Sequence, residues 1–80
     1  MRALMESLNS SSQFLQSNDM RVTEVRHGFA KVEMIIDEQI LNIHGFVHGG
    51  ALFSLADTVA GAASFATGRD SVTLTGTINY

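Results

Sequence analysis

Apolar positions along the chain change period several times, and each change marks an element. From Met1 to Gln16, Leu4, Met5, Leu8 and Leu15 recur at roughly helical spacing around a soft Asn9-Ser10-Ser11-Ser12 stretch. That predicts a short amino-terminal helix that breaks near the serines. Ser17, Asn18 and Asp19 form a turn. Met20 to Arg26 and Phe29 to Asp37 read as two strands joined at His27-Gly28, a tight hairpin. In the second, Ala30, Val32, Met34 and Ile36 alternate with Lys31, Glu33 and Ile35, so one face is expected to be buried. Residues 37–47 hold no regular period and are expected to be a loop.

Gly49 to Ala66 is the predicted central helix, with Gly68 as its stop. Leu52, Phe53, Leu55, Val59 and Phe65, among many alanines, leave almost no polar side, so the helix should be enclosed on most sides. Beyond it, Val72, Leu74, Ile78 and Tyr80 alternate with Thr73, Thr75, Thr77 and Asn79. That predicts a strand over residues 71–80 whose apolar set covers the helix, with the threonines opposite. The order helix, strand, strand, helix, strand is an α+β arrangement in a single domain, residues 1–80. Three strands barely cover one side of such a helix, so more sheet is needed from further sequence, a second copy, or both.

Composition narrows the functional classes. Eighty residues with no cysteine lie near the lower limit for a self-sufficient core and carry no disulfide or thiolate-metal staple. A net charge of −3 argues against a nucleic-acid surface. The central helix is too short and too interrupted, by Ser54, Asp57, Thr58 and Ser64, to span a membrane. No secretory signal is legible either, so a cytoplasmic protein with no membrane partner is expected.

The chemistry is concentrated in Asn42–Asp57, where one asparagine, two histidines and three glycines lead into the apolar helix. Glycines at a helix start leave backbone N–H groups aimed outward at the positive end of the dipole. A lone carboxylate, Asp57, in such a helix is costly unless it has a partner or a task. Amides to hold a carbonyl oxygen and a carboxylate to drive attack together suggest acyl transfer or hydrolysis. His44 and His48 stand four apart, a metal-binding spacing on a helix, but they lie in a loop with no third ligand nearby, so no metal is expected. Gly49 and Gly50 also suit close packing, and Asn42 also suits a brace of its loop. Phe46 and Val47 flank the glycine turn and could line a substrate pocket or simply pack. His27 reads as a turn residue, and Arg69 as a solvated charge.

Asn42, His48-Gly49-Gly50 and Asp57, with the alternating segment after them, resemble the amino-terminal half of a hotdog-fold acyl-CoA thioesterase of the PaaI (phenylacetate-degradation) type. The resemblance spans the whole chain. It implies an antiparallel sheet wrapped around a long central helix, sheets joined in a homodimer and often a homotetramer, and a chain that continues past Tyr80 into the remaining strands. It implies hydrolysis of aryl- or medium-chain acyl-CoA thioesters, with no cofactor. The Gly49 N–H would polarise the thioester carbonyl, and His48 would shape the loop or add a hydrogen bond. Asp57 would be general base or nucleophile. Asn42 would orient water or carboxylate, and Thr73 falls where relatives carry a water-positioning hydroxyl. Gly50, Phe46 and Val47 would border the substrate.

Helix geometry adds a constraint. Gly49 and Asp57 are 57 − 49 = 8 residues apart, about 12 Å along a helix, while reacting groups must approach to about 3 Å. Two antiparallel helices about a two-fold axis would bring Asp57 of one copy to the glycine turn of the other. Other readings remain open: a hotdog dehydratase acting on a hydroxyacyl thioester, or a non-catalytic hotdog module that binds acyl-CoA or mediates assembly.

Overall fold

The computed structural model describes all residues, 1–80, as two short helices, a β-hairpin, a single 3-10 turn (Glu38–Ile40) within the segment expected to be a loop, and one long helix. Helix α1 (Arg2–Ser11) and helix α2 (Gln13–Ser17) are separated by Ser12, as the serine stretch predicted. Ser12 is extended, and its hydroxyl accepts from the Leu15 amide at 3.3 Å, so the residue that ends one helix caps the next. Asp19 turns the chain at φ 53°.

Strand β1 (Met20–Arg26) pairs antiparallel with β2 (Phe29–Met34) through a turn in which Gly28 adopts φ 72°. Val22 faces Val32, but Glu24 faces Lys31, so Thr23 is the extra residue of a bulge. The bulge shifts the alternation by one. Met20, Val22 and Val25 therefore point inward, while Thr23 and Glu24 stay in solvent. Unbroken alternation would have put Glu24 inside. The second strand is shorter than expected. It ends at Met34, and Ile35 and Ile36, which the pattern carried on to Asp37, are exposed.

Helices α1 and α2 pack on β1, on the inner face of the hairpin. There Leu15, Met20, Val22, Val25 and Ala66 form the core, with Leu4, Met5 and Leu8 half-buried against it. The outer edge of β1 is closed by a side chain. Asn9 donates from Nδ2 to the Val22 carbonyl at 2.9 Å and accepts the Val22 amide on Oδ1 at 2.8 Å. One carboxamide thus satisfies both backbone groups that a further strand would use.

Helix α3 (Gly49–Phe65) lies across β2 and touches β1. The expectation that it is enclosed on most sides does not hold within one chain. Ala62 is its only buried residue, and Leu52, Phe53 and Phe65 are exposed. A two-stranded sheet is too narrow to wrap it, and residues 71–80 do not widen that sheet. They run extended along α3 but pair with no strand, so the predicted third strand has no hydrogen-bonded ladder. Their facing is opposite to expectation at residues 72–74, although Tyr80 meets the helix start as the alternation predicted. Thr73 meets the helix, whereas Val72 and Leu74 are 95% and 97% exposed. No helix is long and apolar enough to cross a membrane.

Candidate active site

The loop before α3 is built by Asn42. Its side-chain oxygen accepts the amides of His44 at 2.9 Å and Phe46 at 3.1 Å, while its own amide donates to the Phe46 carbonyl at 2.7 Å. Gly45, at φ 82°, closes the turn onto the Asn42 carbonyl. A bridge between Leu41 and Val47 and a bond from the His48 amide to the Ile40 carbonyl tie the loop at its base. Asn42 thus fixes where α3 begins, and its carbonyl oxygen is fully engaged in doing so.

His48 is the N-cap of α3. Its Nδ1 accepts the Gly50 amide at 2.9 Å, which requires the ring proton on Nε2 and leaves that N–H as a donor. Aliphatic residues cannot cap in this way, and loss of a cap exposes orphan amides. Of the four amides that open α3, Gly50 bonds to the His48 ring and Ala51 and Leu52 bond to the His48 carbonyl at 2.9 and 3.2 Å. Only the Gly49 N–H has no acceptor within the chain. It sits where the helix dipole favours a partial negative charge.

Further along α3, Asp57 is exposed rather than enclosed, because the sheet that would surround it is not formed by these residues. Its one partner is Thr73, whose hydroxyl donates to Oδ1 at 2.5 Å. The bond pins the extended segment to the helix and leaves Oδ2 with no partner. At the other end of that segment the Tyr80 hydroxyl donates to the Gly49 carbonyl at 2.9 Å. A contact between Tyr80 and the glycine turn was not foreseen from the sequence; only the tyrosine's place in the alternating run hinted that it faces the helix.

Asp57 and Thr73 are brought together, and so are His48, Gly49 and Gly50, but the two groups stand at different heights on α3. Between Asp57, Thr73 and the amino-terminal helices opens a cleft of about 720 Å³, and a smaller one of about 180 Å³ lies on the Gly76 side of the same bond. Neither is lined by Phe46 or Val47. Phe46 is 71% exposed on the loop and Val47 is held in the bridge to Leu41. His44 and Arg69 are exposed, and no three His, Asp or Glu side chains gather as a metal-ligating cluster.

Fold and site together define an α+β domain of the hotdog class, the first part of an antiparallel sheet laid against a long helix whose start carries an open amide. Residues 2–77 match the family described as "Domain of unknown function (DUF4442)". The chain belongs to that family, and it is similar to PaaI-like proteins of the hotdog fold. It is 39% identical over 62 residues to the "Putative esterase" of Archaeoglobus fulgidus, a match covering 78% of this chain and 40% of that protein. It is 41% identical over 59 residues to "Acyl-coenzyme A thioesterase PaaI" of Escherichia coli, covering 74% of this chain and 42% of that one. The fold is shared with the conserved protein PA5202 from Pseudomonas aeruginosa at a TM-score of 0.80 and 34% identity, over 99% of this chain and 62% of that one. The matched region thus spans less than half the length of the two curated relatives.

Proposed function

We propose that the domain hydrolyses acyl-CoA thioesters, of aryl or medium-chain acyl groups, to the free acid and CoA. The observation that carries this reading is the single unpaired amide, Gly49 N–H, at the start of a helix that also bears the Thr73-held carboxylate of Asp57. The names of the two curated relatives, an esterase and an acyl-CoA thioesterase, support it. Water attacks the carbonyl carbon as Asp57 takes its proton. The oxyanion is held by a Gly49 N–H, and the C–S bond then breaks and the sulfur leaves with that proton. Direct attack by Asp57, through a mixed anhydride, uses the same groups.

Because Gly49 and Asp57 lie about 12 Å apart along α3, the amide and carboxylate of one site come from two copies of the chain. The exposed Leu52 and Phe53 of α3, and Val72 and Leu74 beside it, are the apolar surface such a pairing would cover. His48 acts by holding the helix start, and Asn42 by holding the loop. Gly50 acts through its bond to His48.

Two variants test this together. Asp57→Asn removes the base. Gly49→Pro removes the amide hydrogen: proline is tolerated at the first helical position, His48 at φ −61° and ψ 135° already has the backbone favoured before proline, and the added Cβ comes to ordinary contact, 3.4 Å, with the Tyr80 ring. Each alone should lower acyl-CoA hydrolysis about 100- to 1000-fold. Mixed and reassembled, they should regain activity, because one of the two shared sites then carries both groups. Full activity in Asp57→Asn would end the role given to Asp57, whereas a wild type that binds acyl-CoA without hydrolysing it would favour a binding module. Failure of the mixture to recover would end the shared-site arrangement.

A further inference from the structure

Asp57, Gly61 and Phe65 follow one another at intervals of four on α3, so they stand on one face, and all three line the larger cleft. Its opposite wall is made by Leu8 and Leu15 from the amino-terminal helices, and Val22 of β1 also lines it. The carboxylate therefore sits toward one end of a largely apolar trough, and Gly61 lies between it and Phe65.

Glycine is a poor residue for a helix interior, and it usually has a local excuse. Gly28, Gly45 and Gly68 have φ of 72°, 82° and 89°. A Cβ on Gly76 would come within 2.9 Å of the Phe53 ring, and one on Gly50 within 3.1 Å of His48 Nδ1. A Cβ on Gly49 would lie 3.4 Å from the Tyr80 ring. Gly61 has none of these reasons. Its backbone is ordinary helix, and a Cβ there meets nothing within 4 Å. What a side chain at 61 would occupy is the cleft itself.

We infer that Gly61 is a specificity-determining residue: the notch it leaves beside Asp57 admits the acyl group of the thioester, and Leu8 and Leu15 limit how long that group is. This rests on the thioesterase reading above. A side chain at 61 narrows the trough just past the reacting carbon, so it should discriminate against long or aromatic acyl groups more than against short ones. One or two methylenes of misfit in an apolar pocket change relative kcat/KM by about 10- to 100-fold.

The test is kcat/KM across acetyl-, butyryl-, hexanoyl-, octanoyl- and phenylacetyl-CoA for the wild type, Gly61→Ala and Gly61→Leu, with thermal unfolding of each. Gly61→Leu is expected to lower the octanoyl-to-acetyl and phenylacetyl-to-acetyl ratios about tenfold or more. Gly61→Ala should shift them the same way by less while its unfolding temperature holds or rises, and it carries the test if the leucine variant fails to fold. Unchanged ratios in a folded, active Gly61 variant would overturn the inference and leave the thioesterase reading standing. A wild type that hydrolyses no member of the series would overturn that reading and this inference with it.

Discussion

Between Met1 and Met34 the apolar side chains largely find partners within the chain, whereas between Gly49 and Tyr80 most of them face outward. Four of the six buried residues (Leu15, Met20, Val22 and Val25) belong to the first region, and the other two, Ala62 and Ala66, are the end of α3 that reaches back into it. The first region also closes its own backbone: Ser12 caps α2 and Asn9 occupies both polar groups of Val22. The second leaves the Gly49 amide, one Asp57 oxygen and the apolar edges of Val72 and Leu74 unclaimed. One region is closed on itself, and the other leaves apolar and polar groups exposed. A core of six residues is small for 80, so the second region should gain much of its stability when it is covered.

The sharpest way to break this contrast is at Val22, the most enclosed side chain, 1% exposed. Val22→Ala should cost about 2 kcal/mol in urea unfolding by creating a cavity between the hairpin and the helices. Asn9→Ala should cost about 1–2 kcal/mol through loss of two bonds to partly buried backbone. It should also open the β1 edge, so concentration-dependent aggregation in light scattering should rise. In the second region, His48→Ala should cost about 1 kcal/mol as a lost cap, yet it should lower hydrolysis out of proportion, because the start of α3 carries the open amide. Smallest of all, Ile43→Ser, at a side chain 96% exposed, should change stability by less than about 0.5 kcal/mol. Val72→Ser with Leu74→Ser should do the same at low protein concentration. At high concentration it should remove the rise of the unfolding temperature with concentration expected if a second copy covers them.

Much of the local structure was legible because it follows from local physics. The serine break, the Met20–Arg26 strand, the His27-Gly28 turn and the helix from Gly49 came from spacing and turn chemistry, and each stands in the structure. The loop was only half legible. Asn42 as brace was foreseen as one of two readings, but that the His48 ring would take the Gly50 amide, singling out Gly49, needed the fold. The end of β2 was overrun because Ile35 and Ile36 continue an apolar pattern that no partner strand continues. For Thr73, parity pointed away from the helix and the resemblance pointed toward Asp57; the segment pairs with no strand, so strict alternation is not enforced, and Thr73 and Tyr80, of opposite parity, both meet α3.

The sequence by itself determined the kinds of elements, their order, and the clustering of amide-bearing glycines and a carboxylate on one helix, since periodicity and capping act over a few residues. Tertiary structure alone decided that a bulge at Thr23 keeps Glu24 out of the core, that Asn9 seals an edge, and that Asp57 stands in the open with Thr73 as its partner. The last two depend on which surfaces meet between residues 13 and 16 positions apart in sequence. No repeat length within one segment encodes such a meeting.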